Sequence, residues 1–199
     1  MRVLILDSDL FATVGGGQTF YRNVIVKNPD IDFYYLRNNE PAGATKPFNA
    51  HPIDHREPYS PTALLHYCDI NVPYWTQAYY LKAHNIASTV AGQSFDIVDY
   101  PDYSLVGLFL RDAFKAHAVN VGRIAISMHG LISTTNAMNW DGNGDYCRVA
   151  RCVEELQYEV ADTRYFISER YQQEWNTLRD VPSYYIDPLH LFAAPNSLP

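Results

Sequence analysis

The feature that most constrains this chain is its opening. Arg2-Val3-Leu4-Ile5-Leu6-Asp7 is a continuous apolar run closed by a carboxylate, the pattern of a strand buried on both faces of a parallel sheet. Gly15-Gly16-Gly17 follows. From Gln18 to Lys27, Phe20 and Val24, then Tyr21 and Ile25, recur at i, i+4 and give a helix one apolar face. Strand, glycine loop and helix together form the first unit of an alternating α/β fold.

The alternation continues along the chain. Asn28-Pro29-Asp30 ends the helix, and Ile31 to Leu36 is a second strand rich in aromatics. Residues 37–61 turn to Asn, Pro, Gly and His with little periodicity, which predicts a long surface excursion holding at most a short strand. Thr76 to Ala91 predicts a helix, Phe95 to Asp99 a strand, Ser104 to Ala118 a helix and Arg123 to Met128 a strand. Asp145 to Ala161 predicts an amphipathic helix with Val149, Val153, Leu156 and Val160 inward and Arg151 paired with Glu155 outside. Thr163 to Ile167, Ser168 to Leu178 and Ser183 to Ile186 complete a strand, helix, strand series. Such alternation implies right-handed βαβ crossovers and a doubly wound parallel sheet of about seven strands in a three-layer αβα sandwich. Residues 1–194 read as one domain, and 195–199 have linker composition.

Composition narrows the function classes. A chain of 199 residues, 47% of them hydrophobic and 16 of them Tyr, can bury a real core and is not a disordered sequence. Fifteen Lys plus Arg against 22 Asp plus Glu leave no basic excess for a phosphate backbone, which excludes a general nucleic-acid binder. Three Cys make no disulfide framework, and the odd count points to reduced thiols in a cytoplasmic setting. Cys147 and Cys152 lie five apart in a helical pattern and so point about 140° away from each other. The Val3 to Leu6 run is too short for a signal-peptide core, and no apolar stretch approaches the ~20 residues of a membrane span. A soluble chain with no transmembrane segment is expected.

In open α/β sheets, ligands bind beyond the carboxyl ends of the strands, so chemistry is sought in the loops after them. Three glycines leading into a helix let the backbone approach a ligand closely, and the first-turn N–H groups favour an anion such as a phosphate. A tight turn packing helix on sheet is the plainer reading. The dinucleotide pattern G-x-G-x-x-G fails at Phe20, and Arg37-Asn38 stands where its acidic residue belongs. No phosphate-binding G-x-x-x-x-G-K-[ST] loop and no Gly-x-Ser-x-Gly elbow is present. His129-Gly130 directly follows a strand, where the imidazole would face the cleft. Asp99-Tyr100-Pro101-Asp102-Tyr103 sets carboxylates and phenols at the neighbouring strand end, groups suited to a hydroxyl-rich ligand unless they form only a solvated turn. Asp141-Gly142-Asn143-Gly144-Asp145 starts like a calcium loop but has Tyr146 at the glycine position and Cys152 at the twelfth. His51 and His55 flank Pro52 in loop texture and share no helical face. No metal site is expected.

Taken in order, these residues resemble the N-terminal domain of a family 4 (group 1) retaining glycosyltransferase of the GT-B fold. The likeness rests on Gly15 to Phe20 after the first strand, Phe95 to Val98 running into Tyr100-Pro101-Asp102-Tyr103, and Ser127-Met128-His129-Gly130. It extends to Glu155, Ala161-Asp162 and Ser168. The resemblance implies a Rossmann-like N-terminal domain for the acceptor, facing across a cleft a C-terminal domain for a nucleotide-sugar donor. It implies that Gly16 and Gly17 offer N–H groups to the donor diphosphate, and that His129 is catalytic, contacting the transferred sugar. Gln18, Asp102, Tyr103, Gly130 and Ser168 would line the acceptor or sugar pocket. Sugar transfer with retention, no cofactor beyond the nucleotide-sugar substrate and no metal are further implications. The family's donor domain has no counterpart here, so this chain is expected to be inactive alone, with 195–199 leading toward that domain. The 37–61 excursion would then be an acceptor contact or a peripheral contact at the inner face of the membrane. The competing expectation is a standalone α/β module that binds a nucleotide or a carbohydrate without catalysis. A nucleotide-sugar-modifying enzyme is disfavoured by the missing dinucleotide pattern and the absence of a Tyr-x-x-x-Lys dyad.

Overall fold

The computed structural model describes residues 1–12, 15–55, 74–139 and 144–192. The Asp141 to Asn143 part of the calcium-like turn, the excursion beyond His55 and the 195–199 linker lie outside the described residues. Seven strands form one sheet: β1 (Arg2–Ser8), β2 (Asp32–Arg37), β3 (Ala50–Asp54), β4 (Ser94–Pro101), β5 (Asn120–Met128), β6 (Thr163–Phe166) and β7 (Tyr184–Tyr185). Their order across the sheet is β3-β2-β1-β4-β5-β6-β7, and every pairing is parallel. The fold is the Rossmann-like three-layer α/β sandwich that the alternation implied.

The helices are α1 (Gly16–Lys27), α2 (Tyr74–Thr89), α3 (Gly107–Ala116), α4 (Ile132–Asn139), α5 (Gly144–Val160), α6 (Glu169–Leu178) and α7 (Pro188–Phe192). Alternate strand residues feed the two layers, because side chains in a strand alternate between faces. Val3, Ile5, Phe33 and Tyr35 pack with Phe20, Tyr21 and Ile25 of α1, with Leu191 of α7 against them. Leu4, Leu6, Val98, Tyr100, Ile124, Ile126 and Phe166 form the larger core with α2, α3, α5 and α6. The chain leaves β1 toward β2 and β3 on one side and returns at β4 to build outward on the other. The crevice between the carboxyl ends of β1 and β4 is therefore the topological switch point, where such sheets bind ligands.

Several expectations change. The surface excursion does hold the short strand allowed for it and is stitched to the sheet by it: β3 pairs with β2, Pro52 being tolerated because β3 is an edge. Buried Asn49 donates to the carbonyls of Ile25, Asn28 and Ile31 at 3.0–3.2 Å. Buried Glu40 accepts from the Phe11 N–H and from the Tyr35 hydroxyl. Helix α4 has no apolar period to announce it. In α5 the buried face is rotated from the expected one: Ala150, Val153, Glu154, Gln157 and Tyr158 are inward, whereas Leu156 and Val160 are each 44% exposed. The Arg151–Glu155 pair forms as expected, at 2.8 Å. The rotation follows from polar work done inside. Glu154 accepts from the Ser133 backbone N–H and hydroxyl at the start of α4, and Gln157 spans from the Asp102 carbonyl to the Gly107 N–H. The helix expected from Ser104 begins only at Gly107, after a 3-10 turn over Asp102–Ser104.

Candidate functional site at the switch point

Asp7 is the last residue but one of β1, where the pairing with β2 skips between Ile5 and Ser8, an irregularity that re-aims side chains at the rim. Its carboxylate accepts from the Ser8 N–H at 2.8 Å, the Gln18 amide at 3.1 and 3.3 Å, and the Tyr103 hydroxyl at 2.9 Å. Three segments meet on this one side chain: the end of β1, the first turn of α1 and the turn after β4. Burial raises the Asp7 carboxyl above its ordinary range, against the pull of the Tyr103, Ser8 and Gln18 donors and the Lys82 charge. Asp7 was not among the residues singled out from sequence. Its place as the carboxylate closing the first strand was the available signal.

The glycine loop is explained in part by the same contact. A Cβ on Gly17 would stand 2.2 Å from the Tyr103 hydroxyl, so only glycine lets Tyr103 reach Asp7. A Cβ on Gly16 would meet nothing within 4 Å, and the N-cap, Gly15, makes no side-chain cap. The N–H groups of the first turn of α1 thus receive no side-chain cap, in the position that suits an anion. Asp7, bonded to Gln18 of that turn, puts negative charge beside it.

His129 follows β5, and its ring lies among Phe20, Tyr21 and Tyr103, with centroid distances of 5.1, 5.9 and 5.7 Å. Its Nε2 is buried and has no hydrogen-bond partner among the described residues. Burial lowers its pKa to about 4, so the imidazole is neutral at physiological pH. It can give or take one hydrogen bond but brings no charge.

Asp102 is placed differently from the sequence expectation of a pocket wall. It is 1% exposed. One carboxylate oxygen accepts from the N–H groups of Tyr103 and His129, at 3.0 and 3.1 Å. The other accepts from the Gly130 N–H at 3.0 Å and the Tyr171 hydroxyl at 3.3 Å. These four donors use the four acceptor positions of a carboxylate. Asp102 therefore clamps the His129-Gly130 backbone to the β4 turn and to α6. Desolvation lifts its pKa to about 7, against the pull of those donors.

Asp99 has the same elevated pKa of about 7 from burial, with Ser127 donating at 2.8 Å and Tyr21 at 3.1 Å. It ties β4 to β5 and α1 beneath the histidine. Gln18, Tyr103, His129 and Gly130 converge with Asp7 and Asp102 in one network. Ser168 stands apart: it is the exposed N-cap of α6, at the end of β6, and accepts from the Tyr171 N–H at 3.3 Å. Among the described residues, no three His, Cys, Asp or Glu side chains converge to hold a metal ion, and no helix is long and apolar enough to cross a membrane.

The network can seat a hydroxyl-bearing ligand. It offers one neutral imidazole, one phenol and the Asp7 carboxyl, whose pKa burial raises, with aromatic faces to cover C–H surface. Comparison of the sequence with models of protein families and with curated protein sequences finds no match.

Proposed function

We propose that this chain is the acceptor-side domain of a glycosyltransferase that moves a sugar from a nucleotide-sugar donor to an acceptor hydroxyl with retention of configuration. The observation that carries the reading is the meeting of Gly17, Gln18, Tyr103 and His129 at the switch point, with His129-Gly130 fixed by the buried Asp102. Neutral His129 suits contact with an uncharged sugar, and its Nε2, buried without a partner among the described residues, has one hydrogen bond still to make. The first-turn N–H groups at Gly16 and Gly17 suit a diphosphate oxygen. The Asp7, Asp99 and Asp102 carboxylates leave little positive charge nearby, so most of the diphosphate's charge falls to cations of a donor-side domain. Transfer by this chain alone is accordingly expected at background.

One observation favours a second reading. The Asp7 carboxyl beside the neutral imidazole also suits a binding module for a neutral carbohydrate, with no transfer at all. Calorimetry of the chain with neutral glycosides and with intact nucleotide sugars separates these cases. Saturable glycoside binding, weakened about tenfold by His129→Ala without loss of fold, supports the site. Tight nucleotide binding with no glycoside binding would contradict it. In the protein as the cell makes it, His129→Ala is expected to lower sugar transfer about a hundredfold, beyond the loss of stability that emptying the space among Phe20, Tyr21 and Tyr103 brings. Absence of any transfer by that wild-type protein would leave the binding module as the correct reading.

A further inference from the structure

The four partners of the Asp102 carboxylate are not alike. The backbone N–H groups of Tyr103, His129 and Gly130 can only donate, whereas the Tyr171 hydroxyl can donate or accept. A proton on Asp102 therefore has one seat among them. It goes to the oxygen shared by Gly130 and Tyr171, and the 3.3 Å bond to Tyr171 reverses, Asp102 becoming the donor and Tyr171 the acceptor. The three backbone bonds keep their acceptor atoms through the change.

The ionised form is less well provided for. Asp102 is 1% exposed, and none of its four partners is a cation. Around it stand Glu154 of α5, the neutral His129 after β5 and Tyr171 of α6, with Asp99 of β4 and Asp7 of β1 acting on the adjoining Tyr103. Arg151 of α5 pairs with Glu155, and Arg164 of β6 donates to the Tyr158 and Glu159 carbonyls. Water would relieve the buried charge, and the turn that keeps water out is strained. Leu105, 2% exposed, closes the Asp102–Ser104 turn at φ 57°, in the left-handed region that favours glycine.

We infer that Asp102 and Tyr171 form a proton switch for the His129-Gly130 loop, which is held down while Asp102 keeps its proton and lifts more readily once the proton is lost. Seated, Asp102 has a pKa of about 7, and exposed by a lifted loop it returns toward the ordinary 3.8. The seated state thus binds the proton more tightly, and its advantage is lost as pH rises through about 7. The open fraction of the loop grows about tenfold from pH 6 to pH 8. The switch needs neither sugar nor transfer, so it stands or falls apart from the proposed function.

NMR of the wild-type chain without ligand tests it. The Asp102 carboxyl carbon is expected to titrate with a midpoint near 7. The Tyr171 ring carbon that bears the hydroxyl should follow with the same midpoint, although burial holds that phenol above its ordinary range and it does not ionise there. Hydrogen exchange at the Gly130 amide, corrected for its intrinsic pH dependence, should lose about tenfold in protection between pH 6 and pH 8. Asp102→Asn has no proton to titrate and sets an amide N–H against that of Gly130, so protection should be lower and flat with pH. Asp99→Asn should leave the tenfold fall in place. The two wild-type titrations decide the matter even if Asp102→Asn does not fold. An Asp102 midpoint near the ordinary 3.8, a Tyr171 carbon that stays still from pH 5 to pH 8, or a fall removed by Asp99→Asn and not by Asp102→Asn would overturn the switch.

Discussion

On the α1 side of the Asp7–Tyr103 hydrogen bond, a neutral imidazole lies among three aromatic rings and its loop is clamped by a buried carboxylate. On the α2 side, the same bond borders a small polar cavity with a lysine and an unsatisfied serine. The first side is over-determined: each segment is held by several partners, and change there should be felt in stability. The second is more loosely built around its cavity, although each side keeps one buried polar atom without a partner among the described residues, the His129 Nε2 on the first and the Ser104 Oγ on the second. Change there should be felt less. Dense packing and a small polar cavity thus sit back to back at one strand end.

The strongest way to break this contrast is at Asp102. Asp102→Ala strips partners from three backbone N–H groups and one phenol, and is expected to cost about 3 kcal/mol in denaturant unfolding. A cost near zero would mean the clamp does not hold the histidine loop. Gly17→Ala is expected to cost about 1–2 kcal/mol even though alanine is the better helix former, because its Cβ displaces the Tyr103 hydroxyl. Tyr103→Phe removes the atom in conflict, so the double variant should lose less than the sum of the singles. Strict additivity would show that the two residues do not meet.

The next effect is one of pH. Asp99 has a folded-state pKa of about 7, above its unfolded value. The folded state therefore binds the proton more tightly. Its contribution to stability is fully present below about pH 4 and is lost as pH rises through about 7. Asp99→Asn is expected to flatten that part of the stability profile and to raise the melting temperature at pH 8 relative to wild type. A parallel, unflattened profile would place the titration elsewhere. The smallest effect is expected at Lys82: Lys82→Ala should change stability by no more than about 0.5 kcal/mol, while raising the Asp7 pKa by removing a charge that lowers it.

How much of this was legible in the sequence follows from what each element buries. The strands β1, β4 and β5 announce themselves because both faces are covered, and that leaves unbroken apolar runs such as Val3 to Leu6 and Ile124 to Ile126. The edge strand β3 does not: Ala-His-Pro-Ile-Asp carries the signals of a loop, and only pairing with β2 makes it a strand. The buried face of α5 escapes the apolar pattern for a different reason. Periodicity counts apolar side chains, but Glu154 and Gln157 are buried to satisfy α4 and the β4 turn, while Leu156 and Val160 face outward. At the site, strand-end position sufficed to single out Tyr103 and His129. It could not tell that Asp102, one residue before Tyr103, points inward and spends its carboxylate on backbone. Nor could it pair Gly17 with Tyr103, 86 positions apart. Contacts of that range depend on the twist and order of the sheet, which no local pattern carries.

The most direct test of the switch-point cleft as a carbohydrate site is the ring-nitrogen NMR signal of His129, followed against pH and then against added glycoside. Buried among three rings with its Nε2 unpartnered among the described residues, His129 should remain neutral from pH 8 to pH 5, in line with a pKa of about 4, and its Nε2 resonance should move on glycoside binding. A ring that titrates near its ordinary pKa of about 6.5 and ignores the glycoside would contradict both its placement and its role.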